Sequence, residues 1–151
     1  MAVHKPPCLK PGARIGVVAP AGCVAPDALR RGIEAIAAEG VAAVGLMATS
    51  GTRRSDLYAG ALQRRGIEII EPDDAQQVQV NAAIHAVKGG TAGAAETRVI
   101  AAIADNLAAR GAERVIAGCT ELVLALGSAA TEVSIVDPAR VLARRVVKIA
   151  G

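Results

Sequence analysis

Short apolar segments rich in valine and isoleucine alternate along the chain with alanine-rich segments of helical period. Each apolar segment is almost wholly hydrophobic, which is typical of a parallel strand that helices cover on both faces. This pattern predicts strands at Arg14–Ala19, Ala42–Ala48, Ile67–Glu71, Arg114–Gly118 and Val133–Val136.

The intervening segments predict helices, and turn residues mark where these helices end. Gly40, Gly66, Gly89 and Gly111 follow helical stretches, where a left-handed residue is favoured. The predicted helices are Asp27–Glu39, Ser55–Arg65, Ala75–Val87, Ala94–Arg110, Glu121–Leu126 and Pro138–Ile149. Alternating strands and helices predict an α/β fold, a flavodoxin-like doubly wound parallel sheet of about five strands in one domain over residues 1–151.

Composition narrows the classes of function. The chain is 52% hydrophobic but only 1% aromatic, so alanine, valine, isoleucine and leucine must build the core. The net charge of +3 is mild, and Tyr58 is the only aromatic residue, which argues against nucleic-acid binding. No uncharged apolar run approaches the roughly 20 residues of a membrane span, and the start lacks a signal peptide. We therefore expect a soluble, cytoplasmic protein without membrane contact.

Cysteines and histidines show no metal-binding pattern. The three cysteines form no CxxC pair, and neither His4 nor His85 has ligand spacing to them, so we expect no bound metal. His85 shares a helical pattern with Val78, Val80, Ile84 and Val87, which predicts a histidine at the core edge.

Two loops that follow predicted strands carry the residues best suited to chemistry. In the first, Gly118–Leu122, Cys119 stands between a strand end and a helix start, where backbone N–H groups favour a thiolate and lower its pKa. Thr120 would cap the helix or contact substrate, and Glu121 would hold or relay a proton. The alternative is that Cys119 is a small buried hydrophobic residue and Thr120 an ordinary cap.

The second loop combines hydroxyl groups, a glycine and arginines: Thr49, Ser50, Gly51, Thr52, Arg53 and Arg54. Such a turn at a helix start can bind a carboxylate or phosphate, and Arg54 could add a bidentate clamp. The alternative is a capped glycine turn with solvated arginines.

Residues 41–138 resemble the C-terminal catalytic half of aspartate/glutamate racemases. The resemblance rests on Val44–Thr52 with its Ala-Thr-Ser-Gly-Thr loop, Ser55–Tyr58, Gly66–Pro72, Gly111–Leu122 with Gly-Cys-Thr-Glu-Leu, and Val136–Pro138. Glu121 stands where glutamate racemases usually have histidine, which favours the aspartate and broad-specificity branch. Arg54 stands where the family often has lysine, and Asp56 where it often has glycine.

The resemblance implies cofactor-independent racemisation of a small amino acid or dicarboxylate by two cysteines on opposite faces of the α-carbon. Cys119 would be one of them, Thr120 would contact the substrate, and Thr49, Thr52 and Arg54 would hold a carboxylate. The family's first cysteine lies in a Cys-Asn-Thr motif, which this chain lacks.

Residues 1–40 instead resemble the start of LD-carboxypeptidases of the microcin-immunity type, through His4–Gly22 and Arg31–Ile36. That similarity ends before the peptidase nucleophile, so it carries no peptidase activity. The chain is then a 1–40 segment followed by a racemase-like 41–151 segment, and a natural rearrangement, a chimera and a designed protein all remain open.

A second thiol could come from Cys23, in the loop after the first predicted strand, or from Cys119 of a second copy in a symmetric homodimer. Two alternatives to racemisation remain. One is a one-cysteine decarboxylase or isomerase on the same scaffold, and the other is an inactive domain that keeps only an anion site.

Overall fold

The computed structural model describes residues 33, 34, 37, 40–141, 143 and 144. Within them Ile33, Glu34, Ala37 and residues 138–141, 143 and 144 are helical. The predicted strand Arg14–Ala19, most of the predicted helix Asp27–Glu39 and residues 145–149 of the last predicted helix lie outside the described residues. The labelled elements are β1 Ala43–Met47, α1 Ser50–Arg54, α2 Ala59–Gln63, β2 Glu68–Ile70, α3 Asp74–Lys88, α4 Ala94–Ala109, β3 Arg114–Ala117, α5 Thr120–Leu126 and β4 Ser134–Val136.

The four described strands form one parallel sheet in the order β2-β1-β3-β4. In the central pair, Gly45 lies beside Val115 and Met47 beside Ala117. The chain moves outward from β1 to β2 and then crosses to β3 on the other side, so the order reverses between β1 and β3. The prediction of a doubly wound α/β fold is confirmed, and the reversal is the point where such sheets bind ligands.

Hydrophobic side chains pack on both faces of this sheet. On one face Val44, Leu46 and Ala48 pack with Tyr58 and Leu62 of the α2 region. The opposite face holds the larger cluster, which includes Met47, Ile100, Leu107, Val115 and Leu122. Because strand side chains alternate between faces, β1 contributes to both clusters and is buried along most of its length.

Gly45 is where α4 comes closest to the sheet. A Cβ at this position would lie 2.9 Å from Val115 Cγ2 and 3.1 Å from Leu107 Cδ1. Both atoms belong to fully buried side chains, so neither can move without disturbing the core.

We therefore expect Gly45→Ala to lower the free energy of unfolding by about 1 to 3 kcal/mol, the usual cost of overpacking a core. Urea denaturation followed by circular dichroism measures this change. Gly51→Ala is the control, because a Cβ there would meet only Thr49 Oγ1 at 3.7 Å. Equal stability of the two variants would contradict close packing at Gly45.

The predicted helix Ser55–Arg65 is only partly confirmed, because α2, Ala59–Gln63, lies within it and a separate short helix, α1, precedes it at Ser50–Arg54. Thr49 caps α1, since its side chain accepts a hydrogen bond from the Thr52 backbone N–H, and the helix therefore begins earlier than predicted. Asp56 then adopts a left-handed conformation with φ 54°, which interrupts the helical hydrogen bonds. This conformation accounts for the glycine that the resembled family often has here.

The predicted helices Ala75–Val87, Ala94–Arg110 and Glu121–Leu126 agree with α3, α4 and α5 to within one residue at each end. Gly40, Gly66 and Gly111 have the positive φ expected of them. Gly89 does not, because it is the C-cap of α3 and has a right-handed conformation, and Gly90 makes the left-handed turn instead. Asp137 accepts hydrogen bonds from the N–H groups of Ala139 and Arg140, as an N-cap does.

Candidate active site at the switch point of the sheet

The two loops singled out from the sequence follow β1 and β3, the strands that flank the reversal in strand order. The Gly118 N–H donates to Met47 O at 2.8 Å. A Cβ at Gly118 would lie 3.1 Å from Ala48 Cβ and 3.3 Å from Met47 O, so only glycine lets the chain pass this close. The structure therefore brings the start of the Cys119 loop against the residues that lead into Thr49.

Cys119 is a half-buried free thiol at the N-cap position of α5. Its Sγ lies 2.7 Å from Glu121 Oε2, and Thr120 Oγ1 donates to the same oxygen at 3.1 Å. The three residues of the first predicted loop thus form one hydrogen-bonded group. A carboxylate oxygen at its centre accepts from both the thiol and the hydroxyl.

The sequence predicted a lowered thiol pKa for Cys119, and the structure corrects this. Burial and the hydrogen bond to the Glu121 carboxylate together raise the pKa of Cys119 to about 11. The Glu121 backbone N–H does act in the predicted direction, and so does the positive charge of Lys88, but both are weaker. Cys119 is therefore a protonated thiol at neutral pH.

Glu121 is shifted in the opposite direction. The hydrogen bond from Cys119 lowers the pKa of the Glu121 carboxyl most, and its own backbone N–H, Thr120 and Lys88 add to the effect. The pair consequently consists of a thiol that donates and a carboxylate that accepts. Such a pair can pass a proton when a charged substrate changes the balance between them.

The hydroxyl-rich loop after β1 has a defined arrangement. Thr49 Oγ1 accepts from the Thr52 N–H at 3.1 Å and lies 3.0 Å from Thr52 Oγ1. Asn81 Nδ2 donates to Ser50 Oγ at 2.7 Å, and Gly51 is exposed. Three hydroxyls therefore line one short turn next to the Cys119 loop.

The two arginines of this loop have different environments. Arg54, the predicted clamp, is exposed and makes no hydrogen bond or ion pair within the described residues. Arg53 instead donates to Gln77 Oε1 and to Glu71 Oε2, each at 2.9 Å. Substrate binding by Arg54 stays a prediction, whereas Arg53 holds the loop in place.

Sequence reasoning did not assign Tyr58 a role in the site. Tyr58 is buried, and its pKa is raised mainly by that burial and to a smaller extent by the negative charge that Cys119 carries when it ionises. The available signal was that the only aromatic residue of the chain follows the hydroxyl-rich loop.

Sequence reasoning also did not identify helix α3 as one wall of the site. Gln77 and Asn81 reach the loop after β1, and the charge of Lys88 acts on both Cys119 and Glu121. These three residues are spaced by four and seven positions, so they share one face of the helix. The signal was this polar spacing within an otherwise apolar helical pattern.

Exposure decides the expectation for His85, whereas the role of Cys23 as a second thiol stays a prediction. His85 is exposed, and Val78 on the same helix is 68% exposed, so the prediction of a core-edge histidine was wrong. Cys23 lies outside the described residues. Within the part of the chain that is described, no three metal-binding side chains come together and no helix is long and apolar enough to cross a bilayer.

Comparison with known proteins places the chain in a family. The sequence profile of the family described as Asp/Glu/Hydantoin racemase matches residues 8–146. The chain belongs to this family. Its match includes residues 8–40, whose similarity to LD-carboxypeptidases stays a prediction.

Solved structures show the same fold. A candidate Asp/Glu racemase from Yersinia pestis has a TM-score of 0.73 and 26% identity, and an aspartate racemase homologue from Pyrococcus horikoshii OT3 has 0.71 and 28%. Each comparison covers 82% of this chain and 54% of the other.

Among sequence relatives, an uncharacterised protein from the pnlA 3′ region of Pectobacterium carotovorum subsp. carotovorum is 40% identical over 83 residues. That match covers 55% of each protein. The chain therefore spans about half the length of the relatives that it matches, and the activity of a whole racemase is a separate question.

Proposed function

We propose that this chain forms a cysteine-containing half of an amino-acid racemase or epimerase site of the aspartate/glutamate class. The observation that carries the proposal is the Cys119 thiol, 2.7 Å from the Glu121 carboxylate, at the switch point beside a turn of three hydroxyls. The substrate would be a small amino acid or dicarboxylate. Thr49, Ser50 and Thr52, with the exposed Arg54, would hold one carboxylate.

In the proposed reaction the Cys119 sulfur exchanges one proton with the substrate α-carbon. As a thiolate it removes the α-proton, and as a thiol it returns a proton to the same face. Glu121 accepts the hydrogen bond of the thiol and would hold the proton when Cys119 is ionised. Positive charge from Lys88 and from the substrate ammonium favours the thiolate, because it offsets the carboxylate of Glu121.

Inversion needs a second acid on the opposite face of the α-carbon. The Cys119–Glu121 pair can move a proton on one face of the substrate by itself, so a one-thiol reaction is the second candidate function. Incubation of L-aspartate with the protein in D₂O separates the two by proton NMR and chiral chromatography. Exchange with inversion supports a racemase, and exchange with retention supports the one-thiol reaction. No exchange with either enantiomer of aspartate or glutamate would contradict both.

We expect Cys23→Ser to retain the wild-type rate of α-proton exchange within about twofold, because a cysteine in an Ala-Gly-Val loop is more often incidental than catalytic. The same NMR assay measures this, and Cys8→Ser is the matched control. A loss of inversion in the Cys23→Ser protein alone, with exchange retained, would instead identify Cys23 as the second thiol.

A further inference from the structure

Gln77 is the one polar side chain that is buried within the described residues, with 6% of its surface exposed. Its Nε2 donates to Ala48 O at 2.9 Å and to Asn81 Oδ1 at 3.1 Å, and its Oε1 accepts from Arg53 Nη1 at 2.9 Å. Every hydrogen-bonding atom of the amide therefore has a partner. A buried amide is tolerated only in such a state, so its arrangement is well determined.

The partners of Gln77 bracket the hydroxyl-rich turn. Ala48 immediately precedes Thr49, and Arg53 lies in the last turn of α1. Ser50 lies between these two residues in the chain. It is held by Asn81, which accepts a hydrogen bond from Gln77 and whose Nδ2 donates to Ser50 Oγ at 2.7 Å. Helix α3 thus fixes the turn at its beginning, its middle and its end.

This attachment adds no net charge to the turn. Arg53 is paired with Glu71 at 2.9 Å, and Gln77 and Asn81 are neutral. A charged residue in place of Gln77 would change the electrostatics that a substrate carboxylate meets. The neutral Gln77 amide can position the hydroxyls without changing the electrostatic field that the substrate carboxylate meets.

We propose that Gln77 is a positioning residue for the carboxylate-binding hydroxyls of Thr49, Ser50 and Thr52, acting through Ala48, Asn81 and Arg53. The inference rests on the proposed function, because it assigns these hydroxyls to the substrate carboxylate. It predicts that Gln77 governs substrate affinity and leaves the acid–base chemistry of Cys119 alone, since none of its hydrogen bonds involves the Cys119 group.

The test compares Gln77→Met, which keeps the side-chain length, with Gln79→Met, a matched change at an exposed position of the same helix. L-Aspartate is titrated into each full-length protein, and the shifts of the backbone amide signals are followed by NMR. We expect Gln77→Met to weaken binding about tenfold or more, the effect of losing one or two hydrogen bonds. Gln79→Met should bind as the wild type does.

A second readout separates positioning from a general loss of structure. The pH dependence of Cys119 alkylation should be the same in Gln77→Met and wild type, whereas a disrupted fold would change it. Unchanged aspartate affinity in Gln77→Met would overturn the inference. If Gln77→Met fails to fold, Asn81→Ala replaces it, and unchanged affinity there would overturn the inference as well.

Failure of the proposed function can be distinguished from failure of the positioning role of Gln77. If the wild type does not bind L-aspartate, the proposed substrate class is contradicted, and hydrogen exchange of the Arg53 amide decides the positioning role. That amide bonds to Thr49 O at 3.0 Å. Exchange at least about tenfold faster in Gln77→Met than in Gln79→Met would support the role, and equal rates would refute it.

Discussion

Replacing Cys119 with serine is expected to reduce α-proton exchange from aspartate by about 10³-fold, within the range that a positioned acid–base group contributes. A serine hydroxyl is close in size to the thiol and can still donate to Glu121, so the loop should keep its shape. Its far higher pKa prevents formation of the anion that removes the α-proton. Proton NMR in D₂O, with the substrate in excess, measures the rate in both proteins.

The Cys8→Ser protein serves as the control, because it carries the same chemical change at a cysteine to which the proposed reaction assigns no role. Urea denaturation of all three proteins checks that stability is unaffected. If Cys119→Ser exchanged the α-proton as fast as the wild type, Cys119 would be only a structural thiol. The family fold would remain, but the proposed acid–base role would be lost.

The strands and the two loops could be predicted because they depend on local sequence. β1 and β3 are largely buried runs of small and branched residues, and the polar groups of each loop begin one residue further on, at Thr49 and Cys119. In a parallel sheet the carboxyl ends of such strands share an edge. The approach of the Cys119 loop to the end of β1 follows from these two facts.

The helices between Ser50 and Gln63 could not be predicted in the same way. Their division depends on the left-handed conformation of Asp56, which is uncommon outside glycine and leaves little trace in hydrophobic periodicity. Nor could the sequence show that α3 borders both loops. That depends on where the helix leaves the sheet after β2, and on the contacts of Gln77 and Asn81 across about 30 positions of the chain.

The direction of the Cys119 pKa shift could not be predicted from the sequence either. The backbone N–H that lowers the pKa comes from the local turn and is visible in the sequence. The opposing causes are the burial of the thiol and the orientation of the Glu121 carboxylate toward it, and both require the folded chain. Together they outweigh the local effect, so a helix-start cysteine here is an acid rather than a ready nucleophile.

Alkylation of Cys119 by iodoacetamide is therefore expected to accelerate steadily up to and beyond pH 10, with a midpoint near the thiol pKa of about 11. An ordinary cysteine with the reference pKa of 9.0 would already level off there. Only the thiolate reacts, so below its pKa the rate rises about tenfold per pH unit, or about 100-fold between pH 8 and pH 10. A protein with Cys8 and Cys23 changed to serine reports on Cys119 alone, and mass spectrometry follows the modification.

The Glu121→Gln variant tests whether the Glu121 carboxylate contributes to the raised pKa of the Cys119 thiol. The carboxylate raises the thiol pKa by its hydrogen bond and by its negative charge, so a neutral amide should move the midpoint to lower pH and speed the reaction at pH 8. Burial remains, so the midpoint should stay above that of an unfolded control in urea. A midpoint below 9 in the folded protein with Glu121 intact would mean that the local N–H groups prevail. Only a midpoint below about 7 would also make Cys119 rest as a thiolate at neutral pH, and the first proton step of the proposed reaction would then need no help from Lys88 or the substrate ammonium.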